Sequence, residues 1–253
     1  MNKIWIGNGQ LVLPDKIVPG GSVLLEGKKI AAVNVPCPPD ARRVDVDGSY
    51  IMAGFVDIHV HGGGDSDFMD EDASAFPTIA KAHCAHGTTA LCPTTMTCAD
   101  SLLEKTIDLF LEADKEPENG AELLGLHLEG PYFSAASKGA QPIGEQRIPE
   151  REDLERILRR AKESILRWDA APELPNMELF AKVMAENGVL TSLAHSAATA
   201  PEALRAFDWG FSHVTHFYNA CTTFHKKNGL VYSGIVEATY LRDDVTIELI
   251  GDG

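Results

Sequence analysis

The sequence predicts an α/β protein built as a (β/α)8 TIM-type barrel behind a small N-terminal β-sandwich-like layer. Apolar runs alternate with amphipathic stretches from residue 51 to residue 250, the signature of parallel βαβ units. Histidines or a glutamate stand at the C-terminal ends of four of those runs. Residues 1–50 instead show short β-like runs cut by turn residues. A parallel barrel brings the C-terminal ends of its strands to one mouth, where chemistry-bearing side chains can meet.

In the leader, strands are predicted at 3–6, 11–13, 22–26 and 29–34, separated by Gly-Asn-Gly, Pro-Gly-Gly and Glu-Gly-Lys-Lys. The first barrel strand is expected over 51–60, a helix over about 71–86, a strand over 88–92 and a helix over 101–114. A third strand follows at 123–128. The clearest helix is 150–164, with Leu154, Ile157, Leu158 and Ala161 on one face. Strand 165–170 leads to helix 177–187, with Gly188 as a C-terminal cap. Strands 189–194 and 213–217 bracket a helix of about 200–209, and 245–250 is the seventh strand. The division expected is 1–50 for part of a small β domain and 51–253 for the barrel. A complete barrel takes ~250 residues, and about 200 follow the leader. The expectation is therefore a barrel lacking its last β/α unit, with ladder edges open on its first and seventh strands. An open α/β sheet without closure is the alternative.

Composition narrows the class. A net charge of −15 opposes binding to nucleic acid or an anionic membrane. No stretch approaches the ~18–20 apolar residues of a membrane span, and the first residues lack the apolar run and cleavage site of a secretory signal. Five cysteines, at 37, 84, 92, 98 and 221, form no C-x-x-C pair and read as free thiols of a cytoplasmic protein. An anionic small substrate would need local donors, for which Lys226, Lys227 and Lys138 are candidates.

His59 and His61 point to the same face of a strand, because side chains two apart do so. An isolated H-x-H pair is often only a surface or core feature. This one ends an apolar strand just before Gly62-Gly63-Gly64, a place that suits metal ligation. Glu129 also ends an apolar strand, where a carboxylate is costly unless paired or coordinated. It could cap a helix or meet a lysine, but His195 and His216 occupy equivalent strand ends. Imidazole and carboxylate together suit zinc or iron(II) better than magnesium. His83 and His86 suit helix capping or a polar face, His213 a structural role, and His225 an anion contact. His127 shares the strand face of Glu129, from which it could orient the carboxylate.

The stretches GFVDIHVHGGG, HLEGPYFSAASKGAQ, AHSAA, THFYNA and IGDG occur in this order along the chain. Together they resemble the N-acetylglucosamine-6-phosphate deacetylases of the amidohydrolase superfamily, over essentially the whole sequence. The resemblance implies metal-dependent hydrolysis of N-acetylglucosamine 6-phosphate to glucosamine 6-phosphate and acetate, in amino-sugar catabolism and cell-wall recycling. It implies that Glu129, His195 and His216 hold the principal divalent ion. His59 and His61 correspond to the pair that holds a second ion in some members, with Glu129 bridging, so one or two ions are expected. Asn219 and Ala220 match the sugar-phosphate contact, and Ala140 and Gln141 the segment facing the acetamido group. Lys227 matches a basic residue that meets the phosphate, sometimes across a dimer interface, so a homodimer is expected.

Two departures stand out. Some relatives carry histidine where Gln141 stands, and glutamine can donate a hydrogen bond but not carry positive charge. The family's catalytic aspartate, and the histidine after the Asp-Gly that starts at Asp252, correspond to positions beyond Gly253. Asp252 itself matches the substrate loop, so no general base is assigned within 1–253. The expectation is a metal-binding but nearly inactive segment of an active deacetylase. Rival readings are an amidohydrolase acting on a different amide and a truncated, non-catalytic sugar-phosphate-binding paralogue.

Overall fold

The computed structural model describes residues 3–142 and 144–251. The chain divides into two compact units, Met1–Phe55 and Val56–Gly253.

In the first unit, β1 (Lys3–Val12) runs antiparallel to β2 (Ile17–Glu26), which pairs β3 (Lys29–Val33). The short strands β4 (Arg42–Asp45) and β5 (Tyr50–Ile51) lie parallel to β1. Two predicted runs, 3–6 and 11–13, thus form one strand. Gly7 is a close approach and not a turn: a Cβ there would fall 2.1 Å from the Trp5 ring. Asn8 takes a left-handed φ of 61° and the register shifts between Gly7 and Gly9, so the strand absorbs Gly-Asn-Gly as an irregularity. Leu11, Val23 and Ile51 form a small core. Ile51, expected to open the barrel, instead pairs with Leu11 in this sheet.

The second unit alternates as predicted, with shorter elements. β6 (Phe55–Val60) leads into a tight hairpin of β7 (Gly62–Gly63) and β8 (Ser66–Asp67), then α1 (Ala75–Cys84), β9 (Thr88–Thr95) and α2 (Asp100–Glu112). The predicted run 123–128 is divided into β10 (Glu122–Leu123) and β11 (Leu126–Glu129). Gly125 at the break has a φ of 158° and sits against Leu166. Next come α3 (Arg151–Ala161), β12 (Ile165–Ala170), α4 (Met177–Glu186), β13 (Leu190–Leu193), α5 (Ala200–Trp209) and β14 (His213–Val214). An unpredicted hairpin, β15 (His225–Lys227) with β16 (Leu230–Tyr232), precedes α6 (Ile235–Thr239) and β17 (Thr246–Ile247).

Local chemistry sets these boundaries. Helix α1 starts four residues later than predicted, because Glu71 adopts a φ of 58° and Asp72 Oδ1 takes the Ser74 amide at 2.8 Å. Helix α5 has a Thr199/Glu202 capping box and ends at Gly210, whose φ is 113°. The cap proposed at Gly188 is there, at a φ of 68°.

The sheet runs β6, β9, β10/β11, β12, β13, β14, β17, with every pair from β9 to β17 parallel. Strands follow one another in chain order with helices between them, which is the TIM-type plan. The main core includes Trp168, Phe180, Phe211 and Leu128, all fully buried. Burying each such side chain contributes ~1.5–3 kcal/mol, enough to hold the strand ends rigidly. Among the described residues no helix is long and apolar enough to cross a membrane. The five cysteines are free thiols.

Candidate metal centre

Glu129 ends β11 and is 3% exposed. His59 is in β6 and His61 directly follows it; His195 follows β13, and His216 follows β14. The barrel plan therefore delivers all five residues to one rim. Glu129 Oε1 lies 3.0 Å from His195 Nε2 and 3.1 Å from His216 Nε2, and those two nitrogens are 3.1 Å apart. On the other side, Glu129 Oε2 lies 3.2 Å from His61 Nε2, which is 3.2 Å from His59 Nε2. Two potential ligand groups result, His59/His61/Glu129 and Glu129/His195/His216, with Glu129 common to both.

The donor chemistry fits a cation. His195 Nδ1 faces the Ser137 carbonyl at 3.1 Å, so Nδ1 carries the proton and Nε2 presents a lone pair. His59 Nδ1 faces the Glu248 carboxylate at 2.7 Å, with the same consequence. Paired lone pairs at this separation repel unless a proton or cation lies between them. Four ligands around zinc at 2.0–2.1 Å lie roughly 3.3 Å from one another, close to the spacing in the His195 group. The backbone is also constrained, since His195 and His216 hold left-handed φ values of 45° and 32°. Such conformations cost on the order of 1–3 kcal/mol each and gather at functional sites.

Electrostatics agree with the geometry. Burial alone would raise the Glu129 carboxyl, but hydrogen bonds to His195, His216, His59 and His61 outweigh it and hold the group well below the usual carboxylate range. Burial opposes charge on His59 as well, yet Glu129 and Glu248 push it up to about 10, so a cation that binds at Nε2 would displace a proton there. His216 is raised by Glu129 against the same burial penalty. The cluster is a carboxylate that draws positive charge towards itself.

Of the remaining candidates, Gln141 is buried. Its Nε2 donates to Glu129 Oε2 at 2.7 Å, and its Oε1 accepts the Thr97 amide at 2.8 Å. Ala140 and Asn219 are exposed beside the cluster. The Asn219 amide donates to the His216 carbonyl at 2.8 Å, and the Ala220 carbonyl accepts the Ser196 amide at 3.0 Å. A Cβ on Gly139 would meet His195 at 3.2 Å and Ala220 at 3.9 Å, so these two loops meet over His195. Lys227 belongs to β15, but its side chain lies outside the described residues, as does Asp252. Lys138 Nζ donates to the adjacent Gly139 carbonyl, and His225 Nδ1 lies 2.8 Å from the Thr223 carbonyl.

The structure corrects two minor roles. His127 does not orient Glu129: it lies deeper, with Nε2 2.8 Å from Asp169 and Nδ1 2.8 Å from Arg167 Nη2. Burial drives its pKa down to about 4, so this imidazole is neutral. His83 neither caps its helix nor serves a merely polar face, since its Nε2 lies 3.0 Å from the Gly62 carbonyl and braces the glycine hairpin. Sequence reasoning missed Arg167, Asp169 and Glu248 altogether. The signal was present, because all three interrupt apolar strand runs, and the cost argument applied to Glu129 applies equally to them.

Comparison with known proteins agrees with this geometry. The model of the Amidohydrolase family matches residues 50–245. The N-acetylglucosamine-6-phosphate deacetylase of Lysinibacillus sphaericus is 31% identical over 217 residues, covering 83% of this chain and 53% of the relative. An N-acetylgalactosamine-6-phosphate deacetylase of Escherichia coli is 28% identical over 250 residues, covering 98% and 61%. The crystal structure of N-acetylglucosamine-6-phosphate deacetylase from Pasteurella multocida superposes with a TM-score of 0.87 at 27% identity, covering 99% of this chain and 65% of that one. The chain spans from about half to two thirds of the length of these relatives. With the family model covering most of the sequence and the strand-end cluster in place, the chain belongs to the amidohydrolase family.

Proposed function

We propose that this chain carries the metal centre of a deacetylase that hydrolyses N-acetylglucosamine 6-phosphate to glucosamine 6-phosphate and acetate, in the cytoplasm and as a homodimer. The observation that carries the proposal is a buried carboxylate, Glu129, set between four imidazoles at the strand-end rim. The relatives named as deacetylases of this sugar phosphate supply the substrate class.

Glu129, His195 and His216 would hold one divalent ion, zinc or iron(II), and His59 and His61 a second that shares Glu129. Such an ion supplies Lewis acidity towards the amide carbonyl and towards water. The protein's own groups supply orientation. Ser137 fixes the His195 tautomer through its carbonyl, and Gln141 steadies Glu129 Oε2 while Thr97 steadies Gln141. Ala140, Asn219 and Ala220 are assigned to the sugar, and Lys227 to the phosphate.

Kinetics of the full-length protein test this reading. Acetate release from N-acetylglucosamine 6-phosphate is expected, with the unphosphorylated sugar showing KM raised ~10–100-fold, the worth of a charge-assisted contact of ~1.5–3 kcal/mol. Lys227→Ala should raise KM for the phosphorylated sugar to match. Equal handling of both sugars would defeat the substrate assignment and favour a different amide. No release of acetate from either would favour a sugar-phosphate-binding role. The relative acting on the galacto epimer motivates one further arm, direct competition between the two 6-phosphates.

A further inference from the structure

Beside the Glu129 cluster lies a buried layer of charge that the proposed reaction does not use. Glu248, 8% exposed, spends its two carboxylate oxygens on different partners. Oε1 accepts from His59 Nδ1 at 2.7 Å, while Oε2 forms an ion pair with Arg167 Nη1 at 2.8 Å and faces His213 Nε2 at 3.7 Å. The Glu248 backbone is pinned as well. Its amide donates to the Val214 carbonyl at 3.0 Å, and its carbonyl accepts the Phe217 amide at 2.8 Å, one residue beyond His216. Arg167, 7% exposed, also donates through Nη2 to the Ile58 carbonyl at 3.3 Å. One guanidinium therefore holds both Glu248 and the peptide that leads into His59.

We propose that Glu248, clamped by Arg167, is the positioning residue that presents His59 Nε2 to a divalent ion at the His59/His61/Glu129 group. This inference rests on the metal reading above and deepens it. A buried ion pair adds little net stability over an apolar pair of the same volume; here it adds direction. A free imidazole can flip its ring or move its proton to Nε2, and either change withdraws the ligand. With Glu248 accepting at Nδ1, the proton stays there and Nε2 faces His61 and Glu129. Among the described residues His61 Nδ1 and His216 Nδ1 have no hydrogen-bond partner, and His195 has a carbonyl, so the carboxylate support is given to His59 alone. Orienting partners of this kind are typically worth 10–100-fold in metal affinity.

The two-oxygen arrangement makes Glu248→Gln a sharp test, because shape is conserved and acceptor capacity is not. Arg167 can only donate, so the amide oxygen must turn to it, and the amide NH2 then meets His59 Nδ1. That contact forces the imidazole proton onto Nε2. Full-length protein would be titrated with Zn²⁺ against a chromophoric chelator to resolve its ion affinities. In Glu248→Gln the weaker ion should lose ~10–100-fold in affinity, while the tighter ion is held as in the wild type. Adding Arg167→Met frees the amide oxygen to face His59 and should restore most of the loss. A merely structural role would show no such recovery. The proposal is overturned if Glu248→Gln binds both ions as the wild type does, weakens both equally, or is not rescued. It is also overturned if the wild type holds a single ion. A wild type that binds no divalent ion would instead defeat the metal reading itself.

Discussion

Glu129→Ala is expected to strip the protein of bound divalent metal and to abolish turnover, whereas His61→Ala should remove half the metal and leave the rest in place. Both ligand groups share Glu129, and it is the one carboxylate in either. Without it four imidazoles face one another with no anionic ligand to offset the charge of an ion. A bound ion contributes several kcal/mol of Lewis-acid stabilisation, and each ~1.4 kcal/mol is tenfold in rate. Turnover should therefore fall at least ~10³-fold. His61 sits at the more open edge, its side chain 35% exposed, and belongs to one group only. Elemental analysis of the purified variants beside their rates checks both statements. Equal metal in the two variants would defeat the shared-carboxylate arrangement.

Arg167→Met is expected to be the most destabilising single change among the polar residues beside the site. The guanidinium touches Glu248 at 2.8 Å, His127 at 2.8 Å and Asp169 at 3.6 Å. Asp169 is fully buried and Glu248 nearly so. Both carboxylates are held ionised against burial, Asp169 by His127 and Arg167, Glu248 by His213, His59 and Arg167. Removing the cation leaves buried negative charge short of a partner, which costs about 3–5 kcal/mol. At ~2–4 °C per kcal/mol for a domain of this size, Tm should drop by roughly 6–20 °C. Arg167→Met combined with Glu248→Gln should lose less than Arg167→Met alone, since only Asp169 is then left short of its cation. Arg159, 70% exposed and paired among the described residues only with Glu155 at 3.5 Å, gives the contrast: its removal should leave Tm unchanged. Scanning calorimetry of metal-free protein distinguishes these cases. An unaltered Tm in Arg167→Met would show that the buried layer bears no load.

How much of this was legible in the sequence depended on whether a residue announced its cost locally. Glu129, His195 and His216 did so, each ending an apolar run where a polar group has no cheap explanation, and barrel topology said that such ends meet. The helix at 200–209 was placed to the residue because its cap, its apolar spacing and its terminal glycine agree. Gly7-Asn8-Gly9 misled, because glycine marks close packing as well as turns, and only the position of the Trp5 ring distinguishes them. The hairpins at 62–67 and 225–232 are too short for periodicity to show. Glu248 interrupts an apolar run as Glu129 does, but its partners, His59 at 189 residues' separation and Arg167, stand outside that run. No local pattern carries such a pairing.

The central claim is that one carboxylate organises histidines from three other strand ends around a cation. Anomalous diffraction from crystals of the zinc-loaded protein tests it most directly. The expected result is a peak ~2.0–2.2 Å from Glu129, His195 and His216, with a second peak beside His59 and His61. Zinc located elsewhere, with these side chains left paired among themselves, would contradict it.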